Sequence, residues 1–237
     1  MRVELMLTCL CDAVYGEVGV ATVKVLEEAG CTVGFRTGQT CCGQPAFNAG
    51  DWGAARPIAE RTAALFEFDD TAAPPVVVPS ASCVAMIRHG YAMMGVTPPP
   101  AKVYELCEFI VEVLERRKWQ GKLKPQRVVV HRACHARAAL LAGQQETLVA
   151  SIEGVELVAV DDADQCCGFG GAFSLTHGKT SEGIGLEKLR KLSMAGADLV
   201  VSGDMGCIAH LQGLAKRNGI EMRFAHVAQL LAEAVQQ

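Results

Sequence analysis

Short apolar runs with strand character alternate with longer segments of helical spacing along this chain, and the whole series occurs twice. Residues 3–8, 31–35 and 75–79 read as strands. The last contains Val76, Val77 and Val78 in succession, the signature of a strand buried on both faces. Residues 13–29 place Val14, Val18, Ala21, Val25 and Leu26 on one side and Glu17, Lys24, Glu27 and Glu28 elsewhere. That spacing predicts a helix, and Gly30 is its stop. Further helices are predicted over 52–68 and from Ser80 to about 94. Thr97-Pro98-Pro99-Pro100 cannot continue a helix. An amphipathic helix over 104–117, with Leu106, Phe109, Ile110, Val113 and Leu114 inward, and a polar connection over 121–126 complete this half.

The second half repeats the plan. Strands are predicted over 127–131, 155–160, 198–202 and 221–224. Helices are predicted over 136–151, 172–192, from Cys207 to about 216 and over 227–235, with a loop over 161–165. Val76-Val77-Val78 before Cys83 matches Leu199-Val200-Val201 before Cys207. A period near 125 residues is a domain duplication, because solenoid repeats span roughly 20–50 residues. The predicted fold is α/β: two duplicated, mainly parallel strand–helix modules, 1–120 and 121–237. Ligands of such sheets sit at the carboxyl ends of the strands.

The cysteines follow the same period. Cys41-Cys42-Gly43 has its twin in Cys166-Cys167-Gly168. Cys9 and Cys134 each precede their pair by 32 residues, and Cys83 and Cys207 follow the first cysteine of the pair by 42 and 41. Adjacent cysteines rarely bond to each other, because the small ring strains disulfide geometry. Both can ligate one centre if the backbone turns sharply, which a following glycine permits. Four thiolates from three loops suit zinc or an iron–sulphur cluster. Structural zinc usually takes compact Cys-x-x-Cys knuckles, and neither half has one. Cys11, Cys31 and Cys107 have no counterparts and read as small core side chains, with Cys11 near enough to Cys9 to be an extra ligand.

Composition narrows the class. Half of the 237 residues are hydrophobic and a fifth are charged, a globular balance. The net charge of −4 offers nothing to nucleic acid. No apolar run of about 20 residues is present to span a membrane. The first residues carry no signal-peptide pattern, so a cytoplasmic location is expected, where eleven cysteines point to metal or redox chemistry. No flavin or nicotinamide motif is present. Two-electron chemistry would therefore need partners.

Thr8-Cys9-Leu10, Cys41-Cys42-Gly43-Gln44-Pro45-Ala46, Pro79-Ser80-Ala81-Ser82-Cys83, Cys166-Cys167-Gly168-Phe169-Gly170-Gly171 and Gly206-Cys207 carry a resemblance. The chain resembles, over essentially its whole length, the CCG-type cysteine-rich proteins found in heterodisulfide reductase subunits and relatives. Within them it looks most like the lactate-utilization branch. The resemblance implies an iron–sulphur electron-transfer subunit of a complex oxidising L-lactate to pyruvate, partnered by the other subunits. Cys9, Cys41, Cys42, Cys83, Cys134, Cys166, Cys167 and Cys207 would hold the clusters, of 4Fe-4S type, with zinc as the alternative. A subunit of a glycolate oxidase or heterodisulfide reductase-like complex is the alternative function, and a zinc-stabilised scaffold docking redox partners a further one. The family's module ends in Cys-x-x-Cys, giving five cysteines. Here Ser80 and Asp204 stand at the first position of that pair. This argues against a five-cysteine cluster and leaves open a four-iron cluster, an oxygen-ligated variant or a metal-poor site. Both residues read as helix N-caps, Asp204 alternatively as an iron ligand.

No catalytic residue is assigned. His131, His135, His177 and His210 lie near the second set by sequence and read as structural, His135 being the best candidate for proton transfer. Gly168 to Gly171 reads as a backbone approach to a cluster, with amides directed at sulphur. Arg132, Arg137 and the run Asp161-Asp162-Ala163-Asp164 read as solvated surface. If only one set holds an active cluster, the second is expected to.

Overall fold

The computed structural model describes residues 1–68 and 73–236. The first half runs β1 (Arg2–Leu5), α1 (Cys9–Ala13), α2 (Gly16–Glu28), β2 (Thr32–Phe35), α3 (Gln44–Asn48), α4 (Trp52–Leu65), β3 (Val76–Val78), α5 (Ala81–Ala85), α6 (Tyr91–Met93), β4 (Val103–Glu105) and α7 (Leu106–Glu108). A π-helical turn, Met86–Gly90, joins α5 to α6, and another, Phe109–Val113, extends α7. The second half runs β5 (Lys122–Val130), α8 (Cys134–Ala138), α9 (Gln144–Ala150), β6 (Glu153–Leu157), α10 (Phe173–Thr176), α11 (Gly178–Met194), β7 (Leu199–Ser202), α12 (Met205–Arg217), β8 (Arg223–His226) and α13 (Val227–Ala234).

Each half builds one four-stranded sheet with all neighbours parallel, in the orders β2-β1-β3-β4 and β6-β5-β7-β8. The duplication and the parallel α/β architecture are thus as the sequence predicts. The alternation of side chains along a strand assigns the faces. Val77, Val128, Val130, Leu199 and Val201 turn into one core, which also holds Val3, Val25, Phe109, Ile110, Trp119 and Leu231. That core belongs to both halves. Val76 and Val78 turn the other way, onto Phe66, Val84, Ile87 and Tyr91. Val129 and Val200 turn onto Leu189, Leu192, Leu211 and Leu214. Helix α13 closes the shared core, and Trp119 Nε1 donates to Leu231 O at 2.9 Å.

Several segments differ from the sequence reading. The expected helix over 104–117 begins with a strand: β4 pairs Tyr104 with Val77 before Glu105 caps α7. The polar connection over 121–126 is mostly the start of β5, whose Lys122 pairs with Glu153 both in register and through an ion pair. The helix expected over 136–151 is broken between α8 and α9, where Leu140 and Gly143 take positive φ. The helix expected over 13–29 is α2, starting at Gly16, and Val14 lies before it, exposed, at the break from α1. Among the described residues, no helix is long and apolar enough to cross a membrane.

Candidate metal centre

The four strand ends of interest deliver their cysteines in the same way. After β1 and β5, Cys9 and Cys134 open α1 and α8. After β3 and β7, Cys83 and Cys207 sit in the first turns of α5 and α12. Helix N-termini present partial positive charge and unpaired amides, which favour thiolates. The vicinal pairs enter on loops after β2 and β6. Each is followed by a left-handed glycine, Gly43 at φ +87° and Gly168 at +90°. That turn brings the glycine amide back onto the first thiol: Gly43 N donates to Cys41 Sγ at 3.4 Å and Gly168 N to Cys166 Sγ at 3.3 Å. The expected amide-to-sulphur contact is present in both halves.

The sulphur atoms converge. Cys9 and Cys41 are 3.5 Å apart, Cys42 and Cys83 3.2 Å, and Cys167 and Cys207 2.9 Å. All eleven cysteines are free thiols. The two sets also share their space. A single cavity of about 470 Å³ between the halves is lined by all eight repeated cysteines, with Leu10, Pro45, Phe169 and Met205 among its apolar walls. One edge per half is what the sequence implies; that both edges face one cavity comes from how the halves pack. Cys11, Cys31 and Cys107 are buried in apolar clusters and do not line it, in keeping with a packing role.

Each set polarises its own thiols. Cys41 is pulled down to about 3 by donation from Cys42, then from Cys9, with the Gly43 amide adding to it. Cys166 is pulled well below the usual thiol value by Cys134, then Cys167, with help from Gly168. Their donors Cys9, Cys42, Cys134 and Cys167 are pushed far up by giving those bonds and by burial. A bound cation would displace the donated protons and take all the sulphurs as thiolates.

The polar residues at the cavity link the halves. Ser80 caps α5, accepting from Cys83 N at 3.2 Å, as expected. Asp204 holds the N-cap position of α12, but its side chain makes no capping bond. It crosses to the first half instead: Ser80 Oγ and Ser82 Oγ donate to its Oδ1 at 2.7 and 2.6 Å, and Ser82 N donates to Oδ2 at 3.3 Å. Burial still raises the Asp204 pKa, against the effect of these bonds.

The histidines separate clearly. His135 lines the cavity, with Nδ1 3.6 Å from Cys134 Sγ. His177 is exposed and bonded to Thr176, and His210 packs beside Phe169 and Ser181 outside the cavity. His131, directly after β5, is 0 % exposed, and neither ring nitrogen has a hydrogen-bond partner. Its ligating nitrogen and the sulphurs of Cys167 and Cys207 lie within 4.8 Å of one another. Burial pulls its pKa down to about 3, which keeps the imidazole neutral. Behind the same set, Lys188 is 0 % exposed and donates to Asp162 O and Ala163 O, both at 3.0 Å. Sequence reasoning ranks His135 above His131 and passes over Lys188. The duplication held the signal: at a shift of 125 residues, His131 falls on Met6 and Lys188 on Ala63. The surface expectations hold: Arg132 pairs with Glu146, Arg137 is exposed, and Asp161, Asp162 and Asp164 face solvent. Soft thiols beside a neutral buried imidazole form a donor set able to bind a metal ion or an iron–sulphur cluster.

Comparison with known proteins agrees with this arrangement. The cysteine-rich domain family CCG matches residues 3–88 and again residues 128–212. The chain is 38% identical over 242 residues to lactate utilization protein A of Geobacillus thermodenitrificans (strain NG80-2), covering 98% of both chains. It is 33% identical over 245 residues to lactate utilization protein A 2 of Bacillus cereus (strain Q1), covering 99% of both. Among solved structures, a hypothetical protein from Helicobacter pylori matches all of this chain with a TM-score of 0.56 at 10% identity. This chain spans about half of that one (49%), and the likeness concerns the fold alone. The chain belongs to the CCG cysteine-rich family, carries its domain twice, and groups there with the lactate utilization A proteins.

Proposed function

We propose that the protein is the iron–sulphur electron-transfer subunit of a complex that oxidises L-lactate to pyruvate in the cytoplasm. The observation that carries this reading is the single cavity lined by two four-thiol sets, Cys9, Cys41, Cys42, Cys83 and Cys134, Cys166, Cys167, Cys207. Eight soft donors around one space suit two neighbouring redox centres of 4Fe-4S type better than two remote structural ions. The near full-length relatives named for lactate utilization support the substrate class. Lactate oxidation releases two electrons and two protons. In this reading a partner subunit takes them from the substrate, and this chain passes the electrons on one at a time between its two centres. The modules are taken as 1–120 and 121–237.

A second reading has its own observation. The His131, Cys167 and Cys207 group is also a competent zinc donor set, which would make the chain a zinc-stabilised scaffold for redox partners. Anaerobic purification followed by iron, sulphide and zinc analysis and EPR decides between them. Iron with stoichiometric sulphide and an EPR signal on reduction is expected; zinc without iron rejects electron transfer. A deletion strain is expected to lose growth on L-lactate and keep growth on glycolate. Normal growth on lactate rejects the substrate assignment.

A further inference from the structure

The two thiol sets are matched in sequence but not in surroundings. At the end of β1 the first half places Met6, buried in its own apolar cluster. At the equivalent place after β5 the second half has His131, held there by donation from its backbone N to Val201 O at 2.8 Å. A histidine sealed from solvent with both ring nitrogens unpartnered is costly, because a buried polar group without a hydrogen bond loses its hydration for nothing. Within 4.8 Å of its ligating nitrogen lie the sulphurs of Cys167 and Cys207, which, with whatever they bind, could change that. Two charged groups around the set are already engaged. Asp204 accepts three hydrogen bonds from Ser80 and Ser82, and Lys188 donates to two loop carbonyls. His135 meets only Cys134, at the cavity wall, whereas His131 is buried, unpartnered at both ring nitrogens and grouped with the sulphurs of Cys167 and Cys207.

The geometry points to His131 as a ligand of the metal centre held by the second set, so that the centres differ: sulphur alone in the first, sulphur with one imidazole nitrogen in the second. The inference rests on the reading that the thiol sets hold metal, and it adds the donor that distinguishes them. Neutral imidazole suits both iron and zinc. If His131 takes the place of one thiolate of the second set at an iron–sulphur centre, the potential of that centre rises, as it does where histidines replace cysteines at Rieske clusters, and the second centre is then the electron-accepting member of the pair.

The test is X-ray absorption on the full chain, purified anaerobically, at the edge of whichever metal it carries. The expected spectrum has sulphur in the first shell plus the outer-shell scattering of an imidazole. The imidazole contribution should disappear in His131→Met, the residue the first half uses at this place. It should persist in His135→Ala. In Cys41→Ser/Cys42→Ser, which disables the first set, its share of the signal should rise. A first shell of sulphur alone in the unmodified chain overturns the assignment without reference to any variant. An imidazole signal unchanged in folded His131→Met overturns it too. The edge observed reports separately on the electron-transfer reading: a zinc edge sinks that reading, while the ligand assignment is still decided by the imidazole signal. A chain that binds neither metal overturns both.

Discussion

Ser80 and Asp204 hold the same position in the two repeats, three residues before Cys83 and Cys207, and they bond to each other. The serine hydroxyl donates to the carboxylate at 2.7 Å, and Ser82 adds a second hydroxyl at 2.6 Å. These residues form a polar tie between the halves, at the wall of the shared cavity. Breaking it by Asp204→Ala leaves the Ser80 and Ser82 hydroxyls, 3.0 Å apart, with only each other as partners and should cost about 1–3 kcal/mol of stability. Ser80→Ala also removes the α5 cap, so its own cost is similar. The informative quantity is the coupling from a double-mutant cycle in denaturant unfolding of the metal-free chain. Contacting polar residues couple by about 0.5–3 kcal/mol. Additive costs would mean the halves are not tied through this pair.

Glu105 gives a pH dependence with a defined sign. It ends β4, caps α7 by accepting from Cys107 N at 2.7 Å and Glu108 N at 3.0 Å, and is 1 % exposed. Burial raises its pKa from 4.5 to about 7, more than the two amide bonds lower it. The folded chain therefore holds its proton more tightly than the unfolded chain. The stability this provides is full below pH 4.5 and is lost as the pH rises through about 7. A shift of this size corresponds to about 3 kcal/mol across that window. In Glu105→Gln the cap oxygen remains and the ionisation is gone, so that part of the decline should vanish. The comparison is of denaturation midpoints from pH 4 to pH 8; parallel curves for the two proteins would reject the assignment.

The fold was legible because both sheets are buried on both faces. Continuous Val runs such as Val76-Val77-Val78 have no other comfortable place, and the cysteine register fixed the duplication independently of any helix or strand assignment. What sequence could not reach were choices made by tertiary pairing. Tyr104 and Glu105 look like the start of an amphipathic helix and become a strand because Val77 and Val78 offer an open edge. Lys122 to Lys124 look like a linker and become a strand by pairing beside Glu153. The candidate site divides in the same way. All eight thiols were readable from spacing, whereas the common cavity depends on the shared core around Trp119 and α13, which no local pattern encodes. His131 and Lys188 were visible only as departures from the repeat.

Lys188 should matter to the second set alone. Its ammonium, fully buried, clamps the carbonyls of Asp162 and Ala163 just before Cys166 and Cys167, and burial lowers its pKa. Lys188→Met keeps the volume but takes the donor from Ala163 O and leaves Asp162 O with Gln165 N alone, at about 1–3 kcal/mol. The loop that presents Cys166 then loosens. Metal should be lost from the second set while the first keeps its own. Metal content and chelator release rates, measured with and without Cys41→Ser/Cys42→Ser, separate the sets. Equal loss from both would contradict a local role.

The two turn glycines should differ in their tolerance of a side chain. Both sit at positive φ, so alanine is strained at either place by about 1–3 kcal/mol. At Gly43 a Cβ would meet Ala55 O at 3.2 Å, close enough that small backbone shifts relieve it. At Gly168 it would lie 2.5 Å from Ser181 O, a carbonyl in the first turn of α11 whose own hydroxyl donates to Gly168 O at 2.8 Å. Relief there requires moving α11 away from the cysteine loop, which also moves the amide that donates to Cys166 Sγ. Gly168→Ala should therefore destabilise the chain more than Gly43→Ala and weaken metal retention at the second set. Thermal unfolding of both variants, with metal content measured alongside, tests this; a larger loss at Gly43 would reverse the argument from backbone contact.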